Sequence, residues 1–177
     1  MLEAMPLSEV YKYIEPGPVV LLTTRYRGKP NVMTLSWHMM MEFTPPMLAC
    51  LVSSGDYSFK GLKRSRECVI AIPDVAMARS VVGIGNCSGA DVDKFERFGL
   101  TPLPAKIVAP PLLDECFVNI ECKVIDTALV NRFNLFVLEA VAGWRSADAD
   151  GRRTIHHRGY GSFAVDGEII SLPSRMP

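Results

Sequence analysis

Short apolar runs that end within about ten residues at Gly, Pro, Asn or Asp set the limits on this fold, because runs of that length make strands and not long helices. Val19 to Thr24 is β-branched and apolar, Arg25-Tyr-Arg-Gly-Lys-Pro30 is rich in turn formers, and Asn31 to Trp37 is strand-like again. This order predicts a hairpin. Thr44-Pro-Pro46 introduces another strand over Met47 to Val52, which Ser53-Ser-Gly-Asp56 breaks, and Cys68 to Ile72 makes a further one, ended by Pro73-Asp74. From Phe117 to Ile125 the alternation sets Val118, Ile120, Cys122 and Val124 against Asn119, Glu121 and Lys123, so one face should be wet. Phe133 to Trp144 is apolar on both faces and needs a second covering surface, which in a chain of 177 residues another subunit can supply. Ile155 to Ile170 predicts two short extended pieces around a turn at Asp166-Gly167.

Helical patterns are inserted between these strands. Pro6 to Ile14 reads as an opening helix with Ser8 as cap and Val10, Tyr13 and Ile14 on one face, stopped by Pro16-Gly-Pro18. Tyr57 to Glu67 places Phe59 and Leu62 away from Lys60 and Arg64, Asp74 is a cap for Val75 to Val82, and Ala90 to Phe98 is a short charged helix. Gly83 to Gly89 between the last two reads as a loop, and Leu100 to Leu113, with four prolines, as an extended segment crossing the body. No strand-helix-strand rhythm, repeat or heptad run appears. The expectation is one domain over 1–177, mainly β with inserted helices, its core over about 16–170 behind an N-terminal helix in 1–15, as a closed or split antiparallel barrel. With 49% hydrophobic residues the chain can bury such a core.

Charge and cysteine usage narrow the partners. Nineteen basic residues balance nineteen acidic ones, which supplies no net positive field for nucleic acid or an anionic membrane surface. Runs such as Val19 to Leu22 and Met47 to Val52 are far below the roughly 20 residues of a membrane helix, and Met1 to Pro6 lacks the cationic-then-apolar order of a secretory signal, so a cytoplasmic location is expected. The five cysteines, at 50, 68, 87, 116 and 122, form no CxxC pair and read as buried structural thiols.

Several familiar chemistries are excluded by spacing. Gly83-Ile-Gly-Asn-Cys-Ser-Gly89 has the wrong glycine spacing and follows a helical pattern, so it is not a dinucleotide turn. There is no Walker lysine and no Gly-x-Ser-x-Gly elbow. His156 and His157 would project to opposite faces of a strand and cannot chelate one metal together. His38, before Met39-Met40-Met41, reads as a mouth or interface residue. What remains is a set of hydroxyls at strand ends: Thr34 and Ser36 beside Asn31, Ser53 and Ser54, then Tyr57 and Ser58 at a helix start, with Lys60, Lys63, Arg64 or Lys94 to add charge. A phosphate dianion suits such donors. Strand ends and turns are rich in Ser and Thr in any case, so composition leaves both readings open.

A resemblance gives these residues a role. Val19-Val-Leu-Leu-Thr-Thr-Arg25, Lys29-Pro-Asn-Val-Met-Thr-Leu-Ser-Trp37, Pro45-Pro46, Cys87-Ser-Gly-Ala-Asp-Val-Asp-Lys-Phe95, Gly99-Leu-Thr-Pro102 and Glu121-Cys-Lys-Val124 occur in an order that resembles flavin reductase-like proteins of the flavoredoxin type. The resemblance implies an FMN-binding split β-barrel, usually a homodimer with flavin near the subunit boundary. It implies FMN as cofactor, with Asn31, Met33, Thr34, Leu35, Ser36 and Trp37 along the isoalloxazine and ribityl chain and Thr34 and Ser36 donating hydrogen bonds. Ser53, Ser54, Tyr57 and Ser58 are then expected around the ribityl and phosphate end, with Lys94 as the cation, while Ser88 belongs to the same set or, with Asp93, holds its loop in shape. The implied activity is an FMN-dependent oxidoreductase passing electrons from NAD(P)H, or from a protein donor, to an acceptor. The alternative is an FMN carrier or sensor without direct nicotinamide turnover. Flavin carries its own redox chemistry, which accounts for the absence of a catalytic triad or metal set from the sequence. Trp37, His38 and the three methionines either shape the face where the donor or acceptor arrives or pack subunits together.

Overall fold

In a computed structural model, residues 2–14 and 17–173 are described. The strands are β1 (Leu2–Ala4), β2 (Val20–Tyr26), β3 (Lys29–Leu35), β4 (His38–Phe43), β5 (Pro46–Leu51), β6 (Glu67–Pro73), β7 (Pro102–Leu103), β8 (Leu112–Leu113), β9 (Cys116–Asp126), β10 (Leu135–Ser146), β11 (Ile155–Gly159) and β12 (Ser162–Val165). Between them lie α1 (Tyr11–Ile14), α2 (Tyr57–Ser65), α3 (Ala78–Gly85), α4 (Lys94–Phe98) and α5 (Val130–Phe133). The main sheet runs β3-β2-β6-β9-β10-β5-β4, every ladder antiparallel, with β1 added to β10. Its edges, β3 and β4, are consecutive in the chain, and no ladder joins them among the described residues, so the barrel is split there.

The continuous apolar runs arise because β2 and β6 are covered on both sides. Val20, Leu22, Ile70 and Ile72 face the barrel interior with Ile120, Leu138 and Phe136, whereas Val19, Leu21 and Ala71 face outward under Val81 and Ile84 of α3 and Phe95 of α4. A strand buried on both faces loses its alternation. The first hairpin turns through Arg27-Gly28, both at positive φ, and pairs Tyr26 with Lys29, so each strand runs further into the turn than the residue types suggest.

Several expectations need correction. Ser8 lies inside a 3-10 turn, Leu7–Glu9, and makes no capping bond; Pro16 of the expected stop lies outside the described residues. His38 to Phe43 is a strand of its own. Gly83 to Gly85 belong to α3, and Asp93, accepting from Phe95 N and Glu96 N, starts α4 at Lys94 and not at Ala90. The last hairpin turns at Tyr160-Gly161, again both at positive φ, and not at Asp166-Gly167. The expected wet face of β9 is wet only at exposed Lys123: Asn119 and Glu121 are fully buried beneath the proline-rich crossing segment. That segment also covers the outer face of β10 at Val141 and Trp144, through Leu103, Ala105, Val108 and Leu112, so there the second surface is the chain itself. Among the described residues no helix is long and apolar enough to cross a membrane.

Candidate functional site

Three connected hollows meet around Thr34 on β3, at the split in the barrel. The first, of about 310 Å³, lies between the start of β3, the N-terminus of α2 and the loop after α3; Asn31, Met33, Thr34, Tyr57, Ser58, Ser88 and Lys94 of the expected set line it. The second, of about 280 Å³, adds Leu35, Ser36, Trp37 and Ser53. Eleven of the twelve sequence-predicted residues therefore come together, and Ser54, exposed in the turn, is the one that lines neither hollow. Alternation along β3 holds, with Met33 and Leu35 packed on the barrel core and Val32 and Thr34 facing α3, and the hollows reach residues of both faces at the split.

The chemistry of the first hollow is that of an anion site. Lys94 is 5% exposed and its Nζ donates to Ile84 O at 2.8 Å, closing the C-terminal end of α3. One of three ammonium N–H groups is thereby used. Burial pulls its pKa down, opposed by the Cys87 thiol and the Asp56 carboxylate. Buried Asn31 donates from Nδ2 to Ser58 Oγ at 2.7 Å, which leaves the serine proton free to point elsewhere. Ser53 N donates to Asp56 Oδ2 at 3.0 Å, so Asp56 shapes the turn before α2 without capping its first amides. Ser88 Oγ accepts from Ala90 N and, with Asp93, holds the loop, as expected of both. Gly89 is required here: a Cβ would collide with the side chains of Asn31 and Tyr57.

Two roles change. Thr34 Oγ1 donates to Val81 O at 2.6 Å, so its proton ties β3 to α3 and its hydroxyl is left to accept, not to donate. Of the four cations considered, Lys94 alone lines these hollows; Lys63 is engaged with Asn131 Oδ1. Sequence reasoning missed Gly85, Asn86, Cys87 and Asn134 as lining residues. Cys87 departs from the four other thiols in being only half-buried. Cys87 itself opens the Cys87–Phe95 block that carries the resemblance, and that is the signal that could have found it. His38 sits at the split, its ring Nε2 2.6 Å from Pro18 O. His156 and His157 do face opposite ways: His156 contacts Gly17 O and Thr154 Oγ1, while His157 lines the third hollow.

A family model for the flavin reductase like domain matches residues 13–164. The uncharacterized protein YddH of Escherichia coli (strain K12) is 27% identical over 93% of this chain and 95% of its own. An FMN-binding domain of a flavin reductases-like enzyme from Shewanella baltica OS155 superposes with a TM-score of 0.90 at 24% identity, covering 98% of both chains. The flavoredoxin of Desulfovibrio vulgaris (Miyazaki F) superposes with a TM-score of 0.80 at 24% identity, over 88% of this chain and 90% of that one. With the family match spanning most of its length and the split barrel shared with these structures, the chain belongs to the flavin reductase like domain family.

Proposed function

We propose that the protein binds FMN along the first two hollows and passes electrons from a nicotinamide nucleotide through it to an acceptor, working as a homodimer in the cytoplasm. The observation that carries this reading is the buried Lys94, which keeps donors in reserve inside a hollow lined by hydroxyls and amides. Gly89 supports it, since only glycine lets the loop lie directly against Asn31 and Tyr57, which line the same hollow. When bound, the flavin supplies the redox chemistry itself, accepting hydride at one ring nitrogen, and needs no protein acid or base. The residues of this chain then bind and orient. Lys94, Ser58 and Ser88 meet the phosphate; Thr34 offers a lone pair to the ring or ribityl chain; Ser36 and Ser53 offer hydroxyls beside Trp37. Free cysteines, four of them buried, fit a reducing compartment.

Similarity to the flavoredoxin and to the Shewanella FMN-binding domain supports the choice of FMN among anionic ligands. The protein purified without added flavin is expected to be yellow or to take up FMN at micromolar concentration, and a colourless sample that does neither overturns the reading. Stopped-flow mixing of the FMN-loaded protein with NADH and with NADPH should bleach the flavin band. If neither nucleotide does so, the protein is an FMN electron carrier fed by another protein.

A further inference from the structure

Helix α2 presents a solvent face that is cationic and, among the described residues, unopposed. Lys60, Lys63 and Arg64 are all exposed and stand at spacings of three and four, so they form one cluster on the helix surface, and exposed Arg66 follows at its left-handed C-terminal cap. The helix dipole favours cations in the last turn, which accounts for Lys63 and Arg64. It does not account for Lys60, whose charge lies one turn from that of Arg64 and works against the helix. Ion pairs among the described residues are made by Arg145, Arg152 and Arg153 and by none of these four cations. Glu67, the first carboxylate after the helix, accepts from Ala109 N at 2.9 Å.

An exposed apolar pair borders this cluster. Lys63 Nζ donates to Asn131 Oδ1 at 2.9 Å, which ties α2 to α5. Leu129 and Phe133, one turn apart and joined by Phe133 N donating to Leu129 O at 2.8 Å, are 46% and 50% exposed. Arg132 lies over the Phe133 ring at 4.9 Å, and Lys63 over that of Phe59 at 5.6 Å. Exposed aliphatic and aromatic side chains rimmed by cations have the make-up of a protein-binding patch. Asn134, next in the chain after Phe133, lines the second hollow, so a partner seated here stands beside the mouth of the candidate site.

We propose that the outer face of α2 with α5 is a docking surface for an acidic protein, whose carboxylates meet Lys60, Lys63, Arg64 and Arg132 while an apolar side chain packs on Leu129 and Phe133. Charge complementarity selects the sign of the partner, and the size of the patch selects its kind. The nine residues of α2 span about 14 Å, and fixed charge acts over roughly 8 Å at physiological salt. The chain as a whole carries nineteen basic and nineteen acidic residues. A nucleic acid or a membrane plane reaches well past so small a patch and meets carboxylates elsewhere on the surface, whereas an acidic patch on a folded partner need cover the cations alone. The surface exists with or without flavin in the hollows, so it stands independently of the FMN reading.

A fluorescently labelled short peptide of Glu and Asp that carries one Leu and one Phe is the probe, titrated with the full chain and followed by anisotropy. It is expected to bind, and to bind more weakly as salt rises. Replacing its Leu and Phe with Ala should cost about threefold to tenfold in affinity, and a counterpart with Lys at every acidic position should not bind. Lys60→Glu with Arg64→Glu is expected to weaken the acidic peptide at least about tenfold, and Phe133→Ser about threefold to tenfold. All three side chains are exposed, so melting temperatures should hold. If charge reversal loosens α2, Phe133→Ser on α5 still reads the same face. No binding of the acidic peptide, or binding that neither variant weakens, overturns the proposal. So does equal affinity for a single-stranded deoxythymidine oligomer of the same charge, which means a surface for any polyanion. A sedimentation mass that falls when the charge reversal is introduced also overturns it, since the face then belongs to a second copy of this chain.

Discussion

The structural role of Lys94 and the one proposed for it at the phosphate can be separated. Its bond to Ile84 O alone would justify burying it, since a cation at the C-terminal end of α3 satisfies a carbonyl and complements the helix dipole. Lys94→Met keeps the apolar stem and removes every donor. FMN affinity is expected to fall roughly tenfold to a hundredfold, the worth of a charge-assisted hydrogen bond, while riboflavin, which lacks the phosphate, is unaffected. Fluorescence titrations with the two flavins read the ratio; a parallel loss for both means that Lys94 only shapes α3. His38 is the other residue with a separable effect. Its Nε2 meets Pro18 O, its Nδ1 is buried without a hydrogen-bond partner among the described residues, and burial lowers its pKa from the ordinary 6.5 against the opposing pull of that carbonyl. A base whose folded pKa is depressed binds fewer protons folded than unfolded. Its contribution to stability is therefore complete above pH 6.5 and is lost as pH falls through the folded value. The melting temperature should drop between pH 7.5 and pH 5.5, and His38→Gln, which keeps a donor for Pro18 O, should flatten that slope. An unchanged slope would place the pH dependence elsewhere.

Among the elements, the crossing segment between β7 and β8 shows most clearly what holds irregular chain to a barrel. Glu121 is buried on β9, and each of its carboxylate oxygens accepts two hydrogen bonds: Lys106 N and Trp144 Nε1 at 3.0 and 2.8 Å on one, Ile107 N and Val108 N at 2.6 and 3.0 Å on the other. Burial alone would push this carboxyl up; the four donors together outweigh it and hold its pKa below the ordinary 4.5. Asn119, Thr23 and Arg25 add bonds to Leu113, Pro111 O and Ala109 O. Glu121→Gln sets an NH₂ group against two N–H donors and removes the charge, with an expected cost of roughly 3 kcal/mol, read as a shift of the urea midpoint. Because the folded pKa is depressed, the wild type's advantage is present above pH 4.5 and is lost as pH falls through the folded value, so the two proteins should converge in acid. A midpoint unmoved at neutral pH would mean that the segment is held by Val108 and Leu112 packing alone. The same segment explains what the sequence could and could not reveal. Strands β2, β5, β6, β9 and β10 were legible because their apolar runs are set by burial, and the hydroxyl set at the site was legible because Thr34, Ser36, Ser53 and Ser58 sit at ends of such runs. Alternation cannot distinguish a polar residue in water from one sealed under the eight residues of non-repetitive chain between β7 and β8, and Asn119 and Glu121 were misread for that reason. Strand β4 escaped because its alternation, His38 to Phe43, is made of methionines and aromatics on an open edge, where no burial pattern marks it.

For the molecule as a whole, the split that opens the site also leaves an edge that a lone barrel does not protect. Strand β4 carries Met39 at 57% and Met41 at 46% exposure, beside Trp37 at 68%, and Glu42 is its one charged residue. Edge strands of proteins that remain monomeric are usually guarded by lysine, proline or a covering loop, and contiguous apolar exposure marks an interface. A second copy seated on β4 would cover these side chains, by the symmetry most homo-oligomers use. This places the proposed dimer on a different strand from the one suggested by Phe133 to Trp144, whose outer face at Val141 and Trp144 the chain already covers. Met39→Lys with Met41→Lys adds two like charges to that edge without touching the barrel core. The wild type is expected to sediment as a dimer and the double variant as a monomer with unchanged far-ultraviolet circular dichroism. Trp37 belongs both to this surface and to the second hollow, so a dimer formed on this edge would be linked to cofactor binding. By linkage FMN should strengthen the dimer, and the monomeric variant should hold FMN more weakly than the wild type. A variant that is monomeric yet binds FMN with wild-type affinity would show that one barrel holds the cofactor unaided, and a wild type that sediments as a monomer across a wide concentration range would remove the dimer altogether.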